Sequence, residues 1–120
     1  MAGEGQVIAC RDLRTWHHQM SEGPKSNKLI VVGFTASCCE SCKFMAPVLD
    51  ELAKKFTNVI FLMVDVDELK PVVVDCGVDS TPTFIFMKDG RIVDRFVGAA
   101  KKVELQKLTE THATVVVAVA

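Results

Sequence analysis

Three of the five cysteines in this chain fall within five positions, as Cys38-Cys39-Glu40-Ser41-Cys42. Sulfur concentrated in this way does thiol redox chemistry or binds metal, because the thiolate is both a nucleophile and a metal ligand. Cys39 and Cys42 form a Cys-x-x-Cys pair, whose offset on a first helical turn brings the two sulfurs within disulfide reach. Cys38 has two readings, a small apolar residue or a third sulfur that competes for Cys42 or completes a metal site. Structural zinc wants four ligands, and the cluster supplies three. Cys76 is a candidate fourth, although the sequence gives no distance to it. An iron–sulfur cluster shared between two chains matches no recognised ligand spacing. Cys10 and Cys76 otherwise read as inert buried thiols.

These residues need a scaffold. A buried strand over residues 29–35 (LIVVGFT) precedes the cluster, and an amphipathic helix carrying Phe44, Val48, Leu49, Leu52 and Phe56 follows it. A helix N-terminus offers unpaired N–H groups and the positive end of its dipole, both of which stabilise a thiolate. Upstream, residues 6–9 read as a strand and 12–22 as a helix capped by Asp12, with Leu13, Trp16 and Met20 on one face and Gly23-Pro24 as its stop. Downstream come a strand over 59–64 and a short helix over 68–75. Strands over 83–87 and 91–97 follow, joined by a Lys88-Asp89-Gly90 turn, and then a helix over 101–112 with Leu105 and Leu108 facing inward. Pro47 is expected to kink its helix. The order β-α-β-α-β-α-β-β-α predicts an α/β fold, a mixed sheet with helices on both faces and an antiparallel edge. One domain is expected over 1–120, with a core of about 7–112 and a tail over 113–120.

Composition narrows the function. Of 120 residues, 49% are hydrophobic and 24% charged, which is globular, and the net charge of −1 gives no electrostatic reason to seek nucleic acid or anionic lipid. No apolar run approaches the ~20 residues of a spanning helix. An odd, clustered cysteine count is not the framework of a secreted scaffold, so a cytoplasmic location is expected. His17 and His18 diverge on their helix and read as surface residues, as does His112. The acidic run Asp65, Asp67, Glu68 reads as a solvated turn. The β-prone segment over 115–119 is expected to pack, fray or promote association.

Taken together, the motifs resemble the thioredoxin family, especially the plant cytosolic h-type. Phe34-Thr35-Ala36-Ser37 with the cysteines, Lys43 and Ala46-Pro47 is similar to the family's active-site segment. The run from Val64 to Pro71 is similar to its third strand and following loop, Thr81-Pro82-Thr83-Phe84 to its cis-proline loop, and Val97-Gly98-Ala99 to its glycine loop. The resemblance implies a thioredoxin fold and a protein-disulfide oxidoreductase without a bound cofactor. It implies disulfide-containing protein targets, electrons from thioredoxin reductase or the glutathione system, and a monomer. Cys39 is the expected attacking thiol, being nearer the loop, and Cys42 the resolving one. Cys38, Thr81, Pro82 and Gly98 are expected to meet the substrate, with Pro82 cis and facing Cys39.

The departures fall at the centre of the motif. The family's Trp-Cys-Gly-Pro-Cys is here Cys38 to Cys42, its buried Asp is Gly33, and the Lys that pairs with that Asp is Met63. Losing both charges together leaves no orphan in the core. It also removes the proton acceptor, for which water above Gly33 is the expected partial substitute. Glu40 opposes a thiolate at Cys39 while Lys43 favours it, and Ser41 is the expected N-cap. Replacing the family's proline by Ser41 implies a couple more oxidising than that of ordinary thioredoxin. Two alternatives stay open: a metal or iron–sulfur module built on Cys38, Cys39 and Cys42, and a weakly redox-active holdase or interaction module.

Overall fold

The structure, a computed structural model, describes residues 5–113. Its elements are β1 (Val7–Cys10), α1 (Leu13–Lys25), β2 (Ile30–Thr35), α2 (Glu40–Lys55), β3 (Ile60–Asp65), α3 (Lys70–Asp75), β4 (Thr83–Lys88), β5 (Arg91–Val97) and α4 (Lys102–Ala113). The element order is the one predicted. The β-prone segment over 115–119 lies outside the described residues.

The strands form one sheet in the order β1-β3-β2-β4-β5. β1 and β2 flank β3 in parallel, whereas β4 runs antiparallel to β2 and β5 antiparallel to β4. Because successive side chains alternate, each central strand feeds two cores. Ile30, Val32, Phe34, Leu62, Val64 and Ile85 pack on one face with Trp16 of α1 and Val72 of α3. Val31, Phe61, Phe84 and Phe86 pack on the other with Met45, Leu49 and Leu52 of α2 and Leu105 of α4. Helices therefore cover both faces. β2, buried from Ile30 to Phe34, lies at the centre and points its C-terminal end at the cysteine cluster.

The helices hold three corrections, one to a boundary and two to the buried face. α1 does not stop at Gly23-Pro24 but runs on to Lys25, where the Ser26 N–H donates to the Glu22 carbonyl at 3.0 Å. Gly23 packs directly on β2: a Cβ at that position would run into the Ile30 side chain, which would have to shift to admit it. Leu13, expected on the buried face of α1, is exposed, and Trp16 carries the contact. In α2 the buried stripe is Met45, Leu49, Leu52 and Ala53; Phe44, expected inside, is 74% exposed and Met45 only 4%. The two neighbours compete for one face, and anchoring the helix through Cys42 turns Met45 inward. α2 continues past Pro47 to Lys55.

Candidate active site

β2 ends at Thr35 and α2 begins at Glu40, so residues 36–39 form the loop that delivers the sulfurs. The Cys39 N–H donates to the Ala36 carbonyl at 3.1 Å, closing that loop. Cys39, not Ser41, is the N-cap: its backbone is extended and its Sγ accepts from the Cys42 N–H at 3.2 Å. Sulfur takes the part an oxygen usually plays in satisfying an orphan donor of the first turn. Ser41 sits one residue inside the helix, with its Oγ 3.7 Å from the Cys39 Sγ. Cys39 and Cys42 are joined in a disulfide with their Cα atoms 5.3 Å apart.

The two sulfurs differ in exposure. Cys39 is half-buried at the surface, whereas Cys42 is 5% exposed. Cys38 is a free thiol, exposed beside the pair. Glu40 and Lys43 pair across one turn at 3.6 Å with both side chains largely in water, so their opposed effects on the sulfur are coupled and individually small.

Behind Cys42 the structure brings together Gly33, Met63 and Pro82 around one cavity, whose other walls are Phe34, Thr35, Met45 and Phe84. The Thr81–Pro82 bond is cis, as expected. No wall residue other than Cys42 itself ionises, and the cavity holds about 10 Å³, room for at most one water. The expected open space above Gly33 is mostly filled. A Cβ on Gly33 would meet the Leu49 Cδ1 at 2.8 Å, the Met63 Sδ at 3.4 Å and the Phe84 Cε1 at 3.5 Å. The space therefore admits no more than a single water, with the hydroxyl-bearing Thr35 among walls that are otherwise mostly apolar.

Gly98 joins the site through the backbone. Its N–H donates to the Pro82 carbonyl at 2.8 Å, and its φ of +100° is one that glycine adopts without strain. The Thr83 hydroxyl donates to the Ser80 carbonyl at 2.7 Å, fixing the other side of the loop. Among the loop and turn hydrogen bonds of the described residues, none uses the N–H or carbonyl of Thr81.

No metal site assembles. Among the described residues no three His, Cys, Asp or Glu side chains come together to hold an ion. Cys76, the candidate fourth ligand, caps α3 and is buried in the core on the α1 side of the sheet. Its thiol pKa is raised, chiefly by burial. Cys10 is in the same core, where burial and then the charge of Asp12 push its pKa up to about 11. Sequence reasoning did not single out Leu49, Met45 and Phe84 as site residues. Their relation to Gly33 depends on the pairing of β2 with β4 and the rotation of α2, which no local motif encodes.

A disulfide at the N-terminus of a helix, beside a cis-proline loop on a mixed sheet, defines a thiol–disulfide oxidoreductase. Comparison with known proteins agrees. The thioredoxin family model matches residues 8–111. Thioredoxin H5 of Arabidopsis thaliana is 55% identical over 108 residues, covering 90% of this chain and 92% of that protein. The crystal structure of thioredoxin NaTrxh from Nicotiana alata superposes with a TM-score of 0.85 at 42% identity, covering 91% and 94% of the two chains. A similar fold occurs in the complex of ferredoxin:thioredoxin reductase with thioredoxin f2, at a TM-score of 0.84 and 27% identity, over 94% and 100% of the chains. The chain belongs to the thioredoxin family. It is a protein-disulfide oxidoreductase, and its family acts on disulfide-containing targets.

Proposed function

We propose that the chain reduces protein disulfides, with Cys39 as nucleophile and Cys42 as resolving thiol. The observation that carries this assignment is their difference in exposure at one helix end: Cys39 meets solvent, and Cys42 is 5% exposed behind it. The Cys39 thiolate attacks one substrate sulfur, forming a mixed disulfide and expelling the other as a thiolate. Cys42 gives up its proton and attacks the Cys39 sulfur; the substrate's second thiolate leaves and the Cys39–Cys42 disulfide forms. Two electrons have passed to the substrate. The unused backbone groups of Thr81 pair with the extended substrate as an added strand, alongside Pro82 and Gly98.

A reductase or the glutathione system restores the dithiol. The similar fold found in a reductase complex supports the first donor. We place the protein in the cytoplasm as a monomer, supported by its likeness to h-type thioredoxins; no helix among the described residues is long and apolar enough to cross a membrane. The test is reduction of insulin disulfides with each donor. Cys39→Ser should abolish turnover, and Cys42→Ser should accumulate a mixed disulfide visible by mass. A Cys39→Ser variant that still turns over would overturn the assignment.

A further inference from the structure

The small space behind Cys42 has one wall able to pass a proton. Of the residues that line it together with Cys42, only Thr35 brings a hydroxyl. A hydroxyl both accepts and donates, which is what a relay requires. No side-chain hydrogen bond within the described residues engages the Thr35 hydroxyl. No buried side-chain oxygen among them lacks a partner, so this one meets solvent. Thr35 therefore borders both the cavity of the resolving sulfur and bulk water.

A base stands beside it. Thr35 and Asp65 are register partners at the ends of β2 and β3, two positions beyond Gly33 and Met63. Side chains alternate along a strand and neighbouring strands lie about 4.8 Å apart, so both pairs share the face that α2 covers, with Asp65 next to Thr35. The Val66 N–H donates to the Thr35 carbonyl at 2.9 Å and fixes that register. One Asp65 oxygen accepts from the Asp67 N–H at 2.8 Å, which holds the carboxylate in place. The carboxylate enters none of the ion pairs formed among the described residues, so no cation competes there with a proton. Glu40 and Lys43, the charges at the start of α2, pair with each other.

We propose that Thr35 and Asp65 form the proton exit for Cys42, taking over from the acid that Gly33 replaces. The proposal rests on the disulfide-reducing function above and adds a route to its second step. As Cys42 attacks the Cys39 sulfur, its S–H proton crosses the cavity, by way of the one water it admits, to the Thr35 oxygen. The hydroxyl's own proton passes to the Asp65 carboxylate, a better acceptor than water. The Cys39–Cys42 bond forms, the bond from Cys39 to the substrate breaks, and the substrate leaves as a thiolate. Asp65 then releases its proton to solvent. Thr35 is the relay, and Asp65 acts through it.

The test follows one turnover of an asymmetric peptide disulfide, built so that the half leaving last carries a fluorophore. Release of the unlabelled half reads attack by Cys39, and release of the labelled half reads resolution by Cys42. Thr35→Val keeps the shape and loses the hydroxyl; Asp65→Asn keeps an acceptor for the Asp67 N–H and loses the base. Each should slow resolution about tenfold or more and leave attack within about twofold. Thr35→Ser should resolve like the wild type, which separates the hydroxyl from packing. Because the two groups act in series, the double variant should be no slower than the slower single one. Unchanged resolution in both single variants, equal losses at attack and resolution, or a double variant that loses the product of both overturns the relay and leaves disulfide reduction standing. A wild type that forms no mixed disulfide at Cys39 overturns the function on which the relay rests.

Discussion

Gly33 and Met63 are register partners across the β2–β3 ladder, and the missing side chain of the first is replaced by the body of the second together with Leu49. Where the family places an acid and its lysine partner, this chain has an apolar contact directly behind Cys42. In the function proposed above, the Cys42 thiol must therefore lose its proton without an ionisable neighbour among the other residues lining its cavity.

Restoring the acid should be costly. A Gly33→Asp side chain would displace Leu49, which is fully buried, and leave a carboxylate without a partner. Overpacking and desolvation together predict a loss of about 2–4 kcal/mol in denaturant unfolding. Gly33→Asp with Met63→Lys should be less destabilised and should reduce insulin faster than the wild type near neutral pH. A wild type that already matches an ordinary thioredoxin, with no gain in either variant, would refute the role assigned to the lost pair.

The Cys39–Cys42 couple should be more oxidising than thioredoxin, whose potential is about −270 mV. The Ser41 hydroxyl stands close enough to the Cys39 sulfur to donate to its thiolate, and Glu40 is drawn toward Lys43. Redox titration against glutathione gives the midpoint, and Ser41→Pro should move it to a more negative value. A wild-type value at or below that of thioredoxin would count against this account.

Thiol labelling should follow the geometry. In the oxidised protein, iodoacetamide followed by peptide mapping should find Cys38 modified first, because it is free and exposed. Cys10 should lag by about a hundredfold or more, since a pKa of about 11 against an ordinary 9.0 starves it of thiolate before burial is counted. Cys76 should lag as well. Reduction should add Cys39 to the labelled set ahead of Cys42.

Position 44 and position 45 should respond oppositely. Phe44→Ser should change stability by no more than about 0.5 kcal/mol, because the ring is already in water. Met45→Ala should cost about 2–5 kcal/mol through lost burial and the cavity left behind. Equal losses would mean that α2 is rotated from the position described.

At the far end of the sheet, His112 Nε2 lies 2.9 Å from the Asp94 carboxylate and ties α4 to β5. That hydrogen bond holds the Asp94 pKa below its ordinary value. A depressed carboxyl pKa contributes stability at pH above the unfolded value, and the contribution fades as pH falls through the folded one. Asp94→Asn should therefore be less stable than the wild type at pH 6, by no more than about 1 kcal/mol for a pair this exposed. The difference should vanish on acidification below the ordinary carboxyl range. A difference that persists or grows there would assign the stabilisation to something other than this ionisation.

What was legible in the sequence was local. The Cys39–Cys42 spacing, the apolar run of β2, the Lys88-Asp89-Gly90 turn and the Thr81-Pro82 loop each carry their signal within a few residues. What was not legible depended on contacts between distant segments. Phe44 and Met45 are both apolar, and only the packing of α2 on the sheet decides which of them is buried. Ser41 has the better chemistry for an N-cap, yet the chain enters the helix two residues earlier and gives that place to a sulfur. The space behind Gly33 looked open because Leu49, sixteen positions later, shows no sign in the sequence of leaning into it.

Because the sulfur that caps α2 is also the sulfur that reacts, the start of the helix is a reporter of the electron balance. Oxidised, the cap is a neutral disulfide sulfur; reduced and ionised, it is an anion facing the same Cys42 N–H. Whatever tightens that amide's hold on the anion favours the electron-rich state by the same free energy. Amide exchange at Cys42 and the midpoint potential therefore share one contribution, and a substitution that strengthens this hydrogen bond to the thiolate should slow the exchange of the reduced protein and raise the potential together.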